Sequence, residues 1–263
     1  MDKIVASARA AVADIPTGAS VASGGFGICG IPSVLLAALA EQGASELTVI
    51  SNNCGIPGVG NSLLLQRRRI RRLVASYVGE NKELERQYLC GEVEIDLNPQ
   101  GTLAERLRAG GAGIAAFYTR TGVGTQVADG GLPIRYAASG EVALASESKP
   151  KEVFEVDGVP RTFVRETALR PDFALVRARR GDRHGNLVFR KAARNFNPLC
   201  AMAGRVTIAE VEELVEPGDL DPDEIHLPGA FVQRVVPLTA DQAADKGIER
   251  LTLRAATTGA GGA

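Results

Sequence analysis

The hydrophobic pattern of this chain alternates between helical spacing and short continuous apolar runs. Apolar residues that recur every three or four positions indicate helices covered on one side, whereas short apolar runs indicate buried strands. The pattern predicts helices over residues 4–15, 32–42, 61–66, 82–89 and 102–108. It predicts strands over residues 20–23, 47–50, 73–78, 93–97, 173–178, 206–211 and 231–236, and a hairpin of 154–156 with 161–164.

Strands that alternate with helices of this length build βαβ units. We therefore predict an α/β fold with an open, mostly parallel, twisted sheet that carries helices on both faces. No segment between residues 1 and 238 has the composition of a linker, so we expect a single domain over residues 1–254. The small residues of 255–263 predict a flexible tail.

The composition excludes several classes of function. Lys and Arg number 30 against 31 Asp and Glu, so the chain lacks the broad positive field that nucleic-acid binding requires. No apolar run approaches the roughly 20 residues of a membrane span, and the amino terminus has no signal-peptide pattern. We expect a cytoplasmic protein that binds neither nucleic acid nor membrane.

Cysteine and histidine spacing argues against a metal. Cys29, Cys54, Cys90 and Cys200 form no CxxC pair, and with two histidines no usual zinc spacing is present. We therefore expect no bound metal. The simplest interpretation of the cysteines is buried thiols in a reducing cytosol, although a reactive thiol at Cys29 or Cys54 would also fit, because both lie in glycine-rich segments.

Glycine is over-represented, at 30 of 263 residues, or about 11% against a usual ~7%. Gly25, Gly27 and Gly30 match the GxGxxG pattern between a predicted strand and a predicted helix. A dinucleotide site also needs an acidic residue at the end of the next strand, which here ends in Asn52-Asn53, so NAD or FAD binding is disfavoured. The interpretations left open are a tight turn and a loop whose amides approach an anionic or thioester group at a helix N-terminus.

Uncharged amides follow the next predicted strands. Asn52 and Asn53 end one strand, and Gln100 follows another, so all three are expected at the carboxyl edge of the sheet, where ligands bind in open α/β folds. Such amides can donate hydrogen bonds to a carboxylate or carbonyl oxygen, although Asn52 and Asn53 could also simply form a turn. Thr102 and Glu105 have the spacing of a helix capping box.

Two further segments are candidates for binding. The glycine-rich stretch 110–125 is long for a connection and has the composition of a binding loop. The run Arg67–Arg72 could hold phosphates or could be a solvated helix end and strand start. No nucleophile, general base or metal site stands among the loops and amides, so the pattern predicts half of an active site.

Several spaced motifs together resemble the A subunit of family I CoA-transferases, and the resemblance extends to about residue 254. They are residues 23–32 (SGGFGICGIP), 51–53 (SNN), 76–81 (SYVGEN), 98–106 (NPQGTLAER), 181–186, 191–198 (KAARNFNP) and 228–232. The segments 76–81 and 195–198 are most similar to the branch of the family that moves CoA from succinyl-CoA to a 3-oxoacid such as acetoacetate.

The resemblance implies a CoA-transferase / sugar-phosphate-isomerase-like fold and a ping-pong reaction through an enzyme glutamyl-CoA thioester. The glutamate belongs to a B subunit, within a Ser-Glu-Asn-Gly motif that this chain lacks, so the resemblance assigns no nucleophile here. Glu80 has the sequence context nearest to that motif, but it lies in a segment that matches the A subunit. Coenzyme A is then a substrate, and no cofactor is implied. The implied substrate-binding residues are Gly24, Gly25, Phe26, Gly27, Gly30, Asn52, Asn53, Gln100 and Gly101, with Gln100 close to the reacting carbonyl.

Other functions stay open at this point. The substrate could be 3-oxoadipate or acetate, and the chain could be a non-catalytic module that binds an acyl-CoA or a sugar phosphate. A sugar-phosphate isomerase would need an in-chain base near the glycine loop, and the sequence places none there. The expected partners are a B subunit, in a heterodimer or heterotetramer, together with succinyl-CoA and a small 3-oxoacid.

Overall fold

The computed structural model describes residues 1–248 of the chain. Its helices are α1 Ala8–Ala11, α2 Ser33–Gln42, α3 Ser62–Gln66, α4 Lys82–Leu89, α5 Gln100–Gly111, α6 Gln126–Asp129, α7 Asn197–Ala203 and α8 Ala240–Ala244. Its strands are β1 Ser20–Ser23, β2 Leu47–Ile50, β3 Ile70–Ala75, β4 Glu94–Leu97, β5 Ala116–Thr119, β6 Pro133–Tyr136, β7 Val142–Ala145, β8 Lys151–Val156, β9 Val159–Thr167, β10 Phe173–Asp182, β11 Leu187–Val188, β12 Val206–Val215 and β13 Arg234–Pro237. Short 3-10 helices cover Lys191–Arg194, Pro222–Glu224 and Gly229–Phe231.

The main sheet has the order β13-β12-β10-β1-β2-β3-β4, and every neighbouring pair along this path is parallel. Strand β11 adds an antiparallel pair to β10. The chain builds outward from β1 in one direction through β2, β3 and β4, and in the other through β10, β12 and β13. The order of the strands therefore reverses between the neighbouring strands β1 and β10. This boundary is the topological switch point, where ligands bind in open α/β sheets.

Helices cover both faces of this sheet. Successive strand residues point to opposite faces, and apolar residues on each face pack against helices. Val49 and Leu73 belong to an apolar cluster shared with α1, α2, α3 and α4. Their chain neighbours Ile50 and Val74 belong to a second cluster, shared with α5 and α7. The predicted α/β fold with a mostly parallel sheet and helices on both faces is thus confirmed.

Two small antiparallel sheets lie outside the main sheet, one of order β5-β9-β8 and one made of β6 and β7. The predicted hairpin is confirmed as β8 and β9, joined by Asp157 at φ 54° and Gly158 at φ 72°. Two successive positive φ angles are what a type I′ turn requires, and Asp-Gly meets that requirement.

The binding loop predicted over residues 110–125 is wrong in its first part. Helix α5 continues to Gly111, and β5 begins at Ala116. A Cβ atom on Gly110 would lie 1.9 Å from the carbonyl oxygen of Leu169, and one on Gly111 would lie 2.7 Å from Cβ of Met202. These glycines allow close packing of a helix, which explains their presence without a ligand.

Two predicted boundaries also move. The first helix is confined to Ala8–Ala11, because Ile4 forms a parallel bridge with Val235 at the edge of the sheet. Strand β3 begins at Ile70 instead of residue 73, so that Arg71 and Arg72 lie within it. In both places pairing with a distant strand overrides the local pattern.

The single domain over residues 1–254 stays a prediction, and its last six residues, like the tail 255–263, lie outside the described residues. Among the helices that the structure describes, none combines the length and the apolar character that crossing a membrane would require.

Candidate active site

A cavity of about 560 Å³ opens at the carboxyl ends of four consecutive strands, and we call it the amide cavity. Segment 26–28 follows β1, segment 52–56 follows β2, segment 76–80 follows β3, and Gln100 follows β4. Its lining residues are Phe26, Gly27, Ile28, Asn52, Asn53, Ile56, Ser76, Tyr77, Glu80 and Gln100. The structure thus brings together five of the predicted site residues: Phe26, Gly27, Asn52, Asn53 and Gln100.

The wall that follows β1 is the glycine loop, residues 24–31. Its backbone closes on itself, since Phe26 and Cys29 exchange hydrogen bonds of 3.0 and 2.9 Å between their N–H and carbonyl groups. Gly25, Gly27 and Gly30 have φ values of 108°, 59° and 70°, which side chains with a Cβ adopt at a cost. This turn places the half-exposed ring of Phe26 at the mouth of the amide cavity.

The glycine loop is braced from below by the segment that precedes α7. The Asn195 side-chain amide donates to the carbonyl oxygen of Cys29 at 3.1 Å, and that of Asn197 donates to the carbonyl oxygen of Gly30 at 2.9 Å. Asn197, which is fully buried, also accepts a hydrogen bond from the Arg177 backbone at 3.0 Å. These contacts give a physical role to the motif at residues 191–198, which the sequence alone left without one.

The same brace explains two predicted site glycines. A Cβ atom on Gly24 would lie 1.9 Å from Oδ1 of Asn197, and one on Gly30 would lie 2.9 Å from the carbonyl oxygen of Ala193. Gly24 and Gly25 are not among the residues that line the amide cavity. The structure therefore packs Gly24 against Asn197, and its predicted substrate contact stays a prediction.

The N-terminus of α2 is occupied by a buried side chain of β12. Oε2 of Glu210 accepts hydrogen bonds from the backbone N–H groups of Val34 at 3.1 Å and Leu35 at 2.9 Å. Burial raises the pKa of this carboxyl to about 7, against the opposing effect of the Arg177 guanidinium. These amides are therefore not free for an anionic ligand, so the loop itself, rather than the helix terminus, is the available wall.

Asn52 and Asn53 are held by an extension of the pairing between β2 and β3. The Asn52 carbonyl oxygen accepts from the N–H groups of Ser76 at 3.0 Å and Tyr77 at 3.2 Å. The Asn52 side chain is 3% exposed, and its Nδ2 and the nearby Oγ of Ser76 have no hydrogen-bond partner among the described residues. Buried donors usually find partners, so these two atoms in the cavity wall are available to hydrogen-bond a bound group.

Gln100 is the first residue of α5, directly after Pro99, which takes the N-cap position. The helix begins two residues earlier than the predicted capping box, so Thr102 lies inside the first turn and its hydroxyl has no partner among the described residues. The Gln100 side chain lines the amide cavity as predicted, whereas Gly101 does not. Its role in binding or catalysis stays a prediction.

The sequence analysis underestimated the segment after β3. Tyr77 and Glu80 line the amide cavity, and Glu80 is the one charged side chain among its described lining residues. Glu80 has a positive φ of 63°. The next residue, Asn81, caps α4 by accepting from Leu84 at 3.1 Å and donates to the Gly55 carbonyl at 3.2 Å, so its role is structural. The SYVGEN motif was the signal that could have placed Glu80 here.

A second cavity of about 470 Å³ lies on the other side of the glycine loop, and we call it the cationic cavity. The two cavities share Ile28. Cations from three segments line it: Arg177 and Arg179 on β10, Arg190 and Lys191 after β11, and Lys246 after α8. Gly30 and the half-buried Cys29 also lie in this wall.

The remaining candidates lie elsewhere. Arg68 pairs with Glu92, Arg71 with Glu94 at 3.6 Å and Arg72 with Asp96 at 2.7 Å, so carboxylates on and beside β4 pair with three of the five arginines of the run. Neither cavity includes residues 67–72 among the residues that line it. Burial raises the pKa of the Cys54 thiol to about 12, which argues against reactivity.

The chain is similar to known proteins both in sequence and in structure. The family model described as "Coenzyme A transferase" matches residues 5–238. A protein of Mycobacterium tuberculosis (strain ATCC 25618 / H37Rv), named as the A subunit of a probable succinyl-CoA:3-ketoacid coenzyme A transferase, is 64% identical over 254 residues, which are 97% of this chain and 100% of that one.

The human protein named "Succinyl-CoA:3-ketoacid coenzyme A transferase 2, mitochondrial" is 53% identical over 243 residues, which are 92% of this chain and 46% of the human one. Among solved structures, a thioester complex with CoA of the acyl-CoA transferase YdiF from Escherichia coli O157:H7 matches with a TM-score of 0.74 and 23% identity. That match covers 92% of this chain and 48% of YdiF, so the chain spans about half the length of both proteins.

Proposed function

This chain belongs to the coenzyme A transferase family, and we propose that it is the A subunit of an enzyme that moves CoA from succinyl-CoA to a 3-oxoacid such as acetoacetate. The observation that carries the proposal is the amide cavity, in which a glycine loop and three uncharged amides meet at one edge of the sheet. The names of the relatives support the choice of substrates.

The proposed reaction proceeds through an enzyme glutamate. Its carboxylate attacks the thioester carbonyl of succinyl-CoA, the C–S bond breaks, and an acyl anhydride and the CoA thiolate form. The thiolate then attacks the glutamyl carbonyl, releases succinate and leaves a glutamyl-CoA thioester. The same two steps in reverse, with acetoacetate as the entering carboxylate, release acetoacetyl-CoA and restore the glutamate.

Each addition step places negative charge on a carbonyl oxygen, and the amide cavity offers donors for that charge. Gln100, Asn52 and Asn53 carry side-chain amides that donate without titrating. Preorganised donors of this kind are among the largest contributions to acyl-transfer catalysis. Phe26 and Ile56 add apolar walls that help to exclude water from the reactive anhydride.

The glutamate, in this proposal, comes from a B subunit that covers the amide cavity in a cytoplasmic heterodimer or heterotetramer. The rim offers apolar surface for such a partner, since Phe26 is 46% and Tyr77 is 49% exposed. The mycobacterial relative, which is named as an A subunit, is matched over its whole length, whereas about half of the human protein is matched. Both facts support a second half that another chain supplies.

The experiment is reconstitution. This chain and a candidate B chain with a Ser-Glu-Asn-Gly motif are purified separately, and acetoacetate-dependent consumption of succinyl-CoA is measured for each chain and for the mixture. We expect activity in the mixture alone and, with succinyl-CoA but no acceptor, a CoA adduct on the B chain in intact-protein mass spectrometry. Activity of this chain alone, or an adduct on it, would contradict the proposal.

A further inference from the structure

We infer that Asn98 and Arg106 are positioning residues for Gln100, and that they act by fixing the turn between β4 and α5. This turn brings Gln100 into the lining of the amide cavity. The inference rests on the proposed function for the reaction that Gln100 serves. The hydrogen bonds that fix the turn belong to the fold and do not depend on that function.

Asn98 is buried, and its side chain uses both ends of its amide. Its Nδ2 donates to the carbonyl oxygen and to Oδ1 of Asp96, both at 3.1 Å, and its Oδ1 accepts from Nη1 of Arg106 at 2.5 Å. Its backbone N–H donates to the carbonyl oxygen of Ala75 at 2.9 Å, which extends the pairing of β4 with β3. Asn98 is therefore held by β3, β4 and α5 together, two residues before Gln100.

Arg106 connects the same turn to a third part of the fold. Its Nε donates to the carbonyl oxygen of Thr167, the last residue of β9, at 2.8 Å. Its own carbonyl oxygen accepts from the N–H of Leu169 at 2.8 Å. Because a guanidinium group presents its donors in a fixed plane, Arg106 holds α5 at a defined position relative to both Asn98 and the end of β9.

Gln100 itself has little other support. Pro99 takes the N-cap position without a side-chain cap, and its ring nitrogen carries no donor. A Cβ atom added to Gly101 would meet no atom within 4 Å, so the next residue has no close packing on that side. The backbone of the turn therefore sets the direction in which the exposed Gln100 side chain leaves the helix, and Asn98 fixes that backbone.

Position matters for the role that we propose for Gln100. A donor that stabilises charge on a carbonyl oxygen must be in place before the charge develops. A misplacement of about 1 Å can lower a rate on the order of 10²-fold. Asn52, another amide of the same cavity, is held by its own burial, whereas Gln100 is exposed. The contribution of Gln100 therefore depends on the hydrogen bonds of Asn98 and Arg106.

The test is a double-mutant cycle in the reconstituted enzyme, in which Arg106→Met and Asn98→Ala are each made with and without Gln100→Ala. When Gln100 is present, we expect either change to lower kcat on the order of 10-fold and to keep KM for both substrates within about twofold. In the Gln100→Ala background, the same changes should lower kcat by less than about twofold, because the group that they position is gone.

Arg108→Met is the matched control, since Arg108 is an exposed residue of α5, pairs with Glu105 at 2.8 Å and lines neither cavity. Equal losses of kcat in both backgrounds would indicate a general structural effect and would overturn the inference. Unchanged kcat in Arg106→Met and Asn98→Ala, or in Gln100→Ala, would overturn it as well. The first two variants remove one hydrogen bond from opposite ends, so either is sufficient if the other does not fold.

A second measurement needs no activity. If the reconstituted wild-type enzyme transfers no CoA, the proposed function fails, and NMR relaxation of this chain alone decides whether the turn is fixed as inferred. We expect the order parameter of the Gln100 backbone N–H to fall from about 0.85 to below about 0.6 in Asn98→Ala and to stay the same in Arg108→Met. An order parameter that is unchanged in Asn98→Ala would refute the positioning role.

Discussion

The amide cavity and the cationic cavity share one wall, the glycine loop, yet they differ in charge. The amide cavity is lined by side-chain amides, aromatic and aliphatic groups and a single carboxylate, Glu80, among the residues that the structure describes. The cationic cavity is lined by five Arg and Lys side chains and two carboxylates within the same range. One short loop thus separates a nearly neutral space from a strongly positive one.

The nearly neutral lining of the amide cavity suits the acyl transfer proposed for it. A cation next to the reacting carbonyl would stabilise the glutamate carboxylate before it attacks and so weaken it as a nucleophile, whereas neutral donors favour the charge that develops in the transition state. The comparison therefore favours the amide cavity, rather than the cationic cavity, for the proposed acyl transfer.

The largest effect is expected from Gln100→Ala in the reconstituted enzyme. Loss of one preorganised donor should lower kcat roughly 10²- to 10³-fold, about 3–4 kcal/mol, with little change in the binding of the two subunits. Steady-state kinetics and analytical ultracentrifugation measure the two quantities. Gln66→Ala, at an exposed position outside both cavities, is the control. Unchanged turnover would show that Gln100 is not part of the active site and would weaken the case that the neutral donors of the amide cavity take part in the reaction.

The position of Gln100 was predictable, since parallel strands bring their carboxyl ends to one edge and Phe26, Asn53 and Gln100 each follow such a strand. The alternation of apolar runs and helical spacing was enough to predict the parallel sheet. The Asp157-Gly158 pair was enough to predict the hairpin. In these places the local signal and the final structure agree.

The rest depended on partners distant in sequence. Asn197 braces Gly30 across 167 positions of the chain, and Glu210 caps α2 across 175. Glu210 lies in an apolar run that predicts a strand, and nothing in that run indicates which backbone amides its carboxylate meets. The cationic cavity combines residues from β10 with residues after β11, and the sequence provides no measure of how they face the loop.

Glu210→Gln tests the support beneath the shared wall. The wild-type carboxyl has a folded-state pKa of about 7 against an ordinary 4.5, so between these pH values the folded state retains a proton that the unfolded state has lost. Wild-type stability should fall relative to the variant as pH rises from 4.5 to 7, by about 3 kcal/mol.

Urea unfolding of both proteins across this pH range measures the difference. Arg177 and Glu212, the charged groups next to Glu210, are present in both proteins, so their contributions largely cancel. Glu105→Gln, at a half-exposed glutamate of α5, controls for the loss of a carboxylate. A free-energy difference that is constant with pH would show that Glu210 does not titrate as its burial implies.

Gly24→Ala tests how tightly the loop rests on its brace. The added methyl group would overlap Oδ1 of Asn197, which cannot move freely because it accepts from the Arg177 backbone. We expect a loss of about 2 kcal/mol in the free energy of unfolding. Gly101→Ala is the matched control: its added Cβ meets no atom within 4 Å and lies in a helix, where alanine is favoured. Equal stabilities of the two variants would contradict the brace.

Glu80→Gln should have the smallest effect and gives the sharpest test of the neutral character of the amide cavity. If the nucleophile belongs to the partner, Glu80 contributes only weak repulsion of anionic substrates. Its loss should then lower KM for acetoacetate by at most about threefold, on the order of 0.5 kcal/mol, and leave kcat unchanged. If Glu80 is itself the nucleophile, turnover and the CoA adduct both disappear. Glu147→Gln, at an exposed glutamate that lines neither cavity, measures the general effect of losing a carboxylate. The two outcomes for Glu80 differ by far more than that effect.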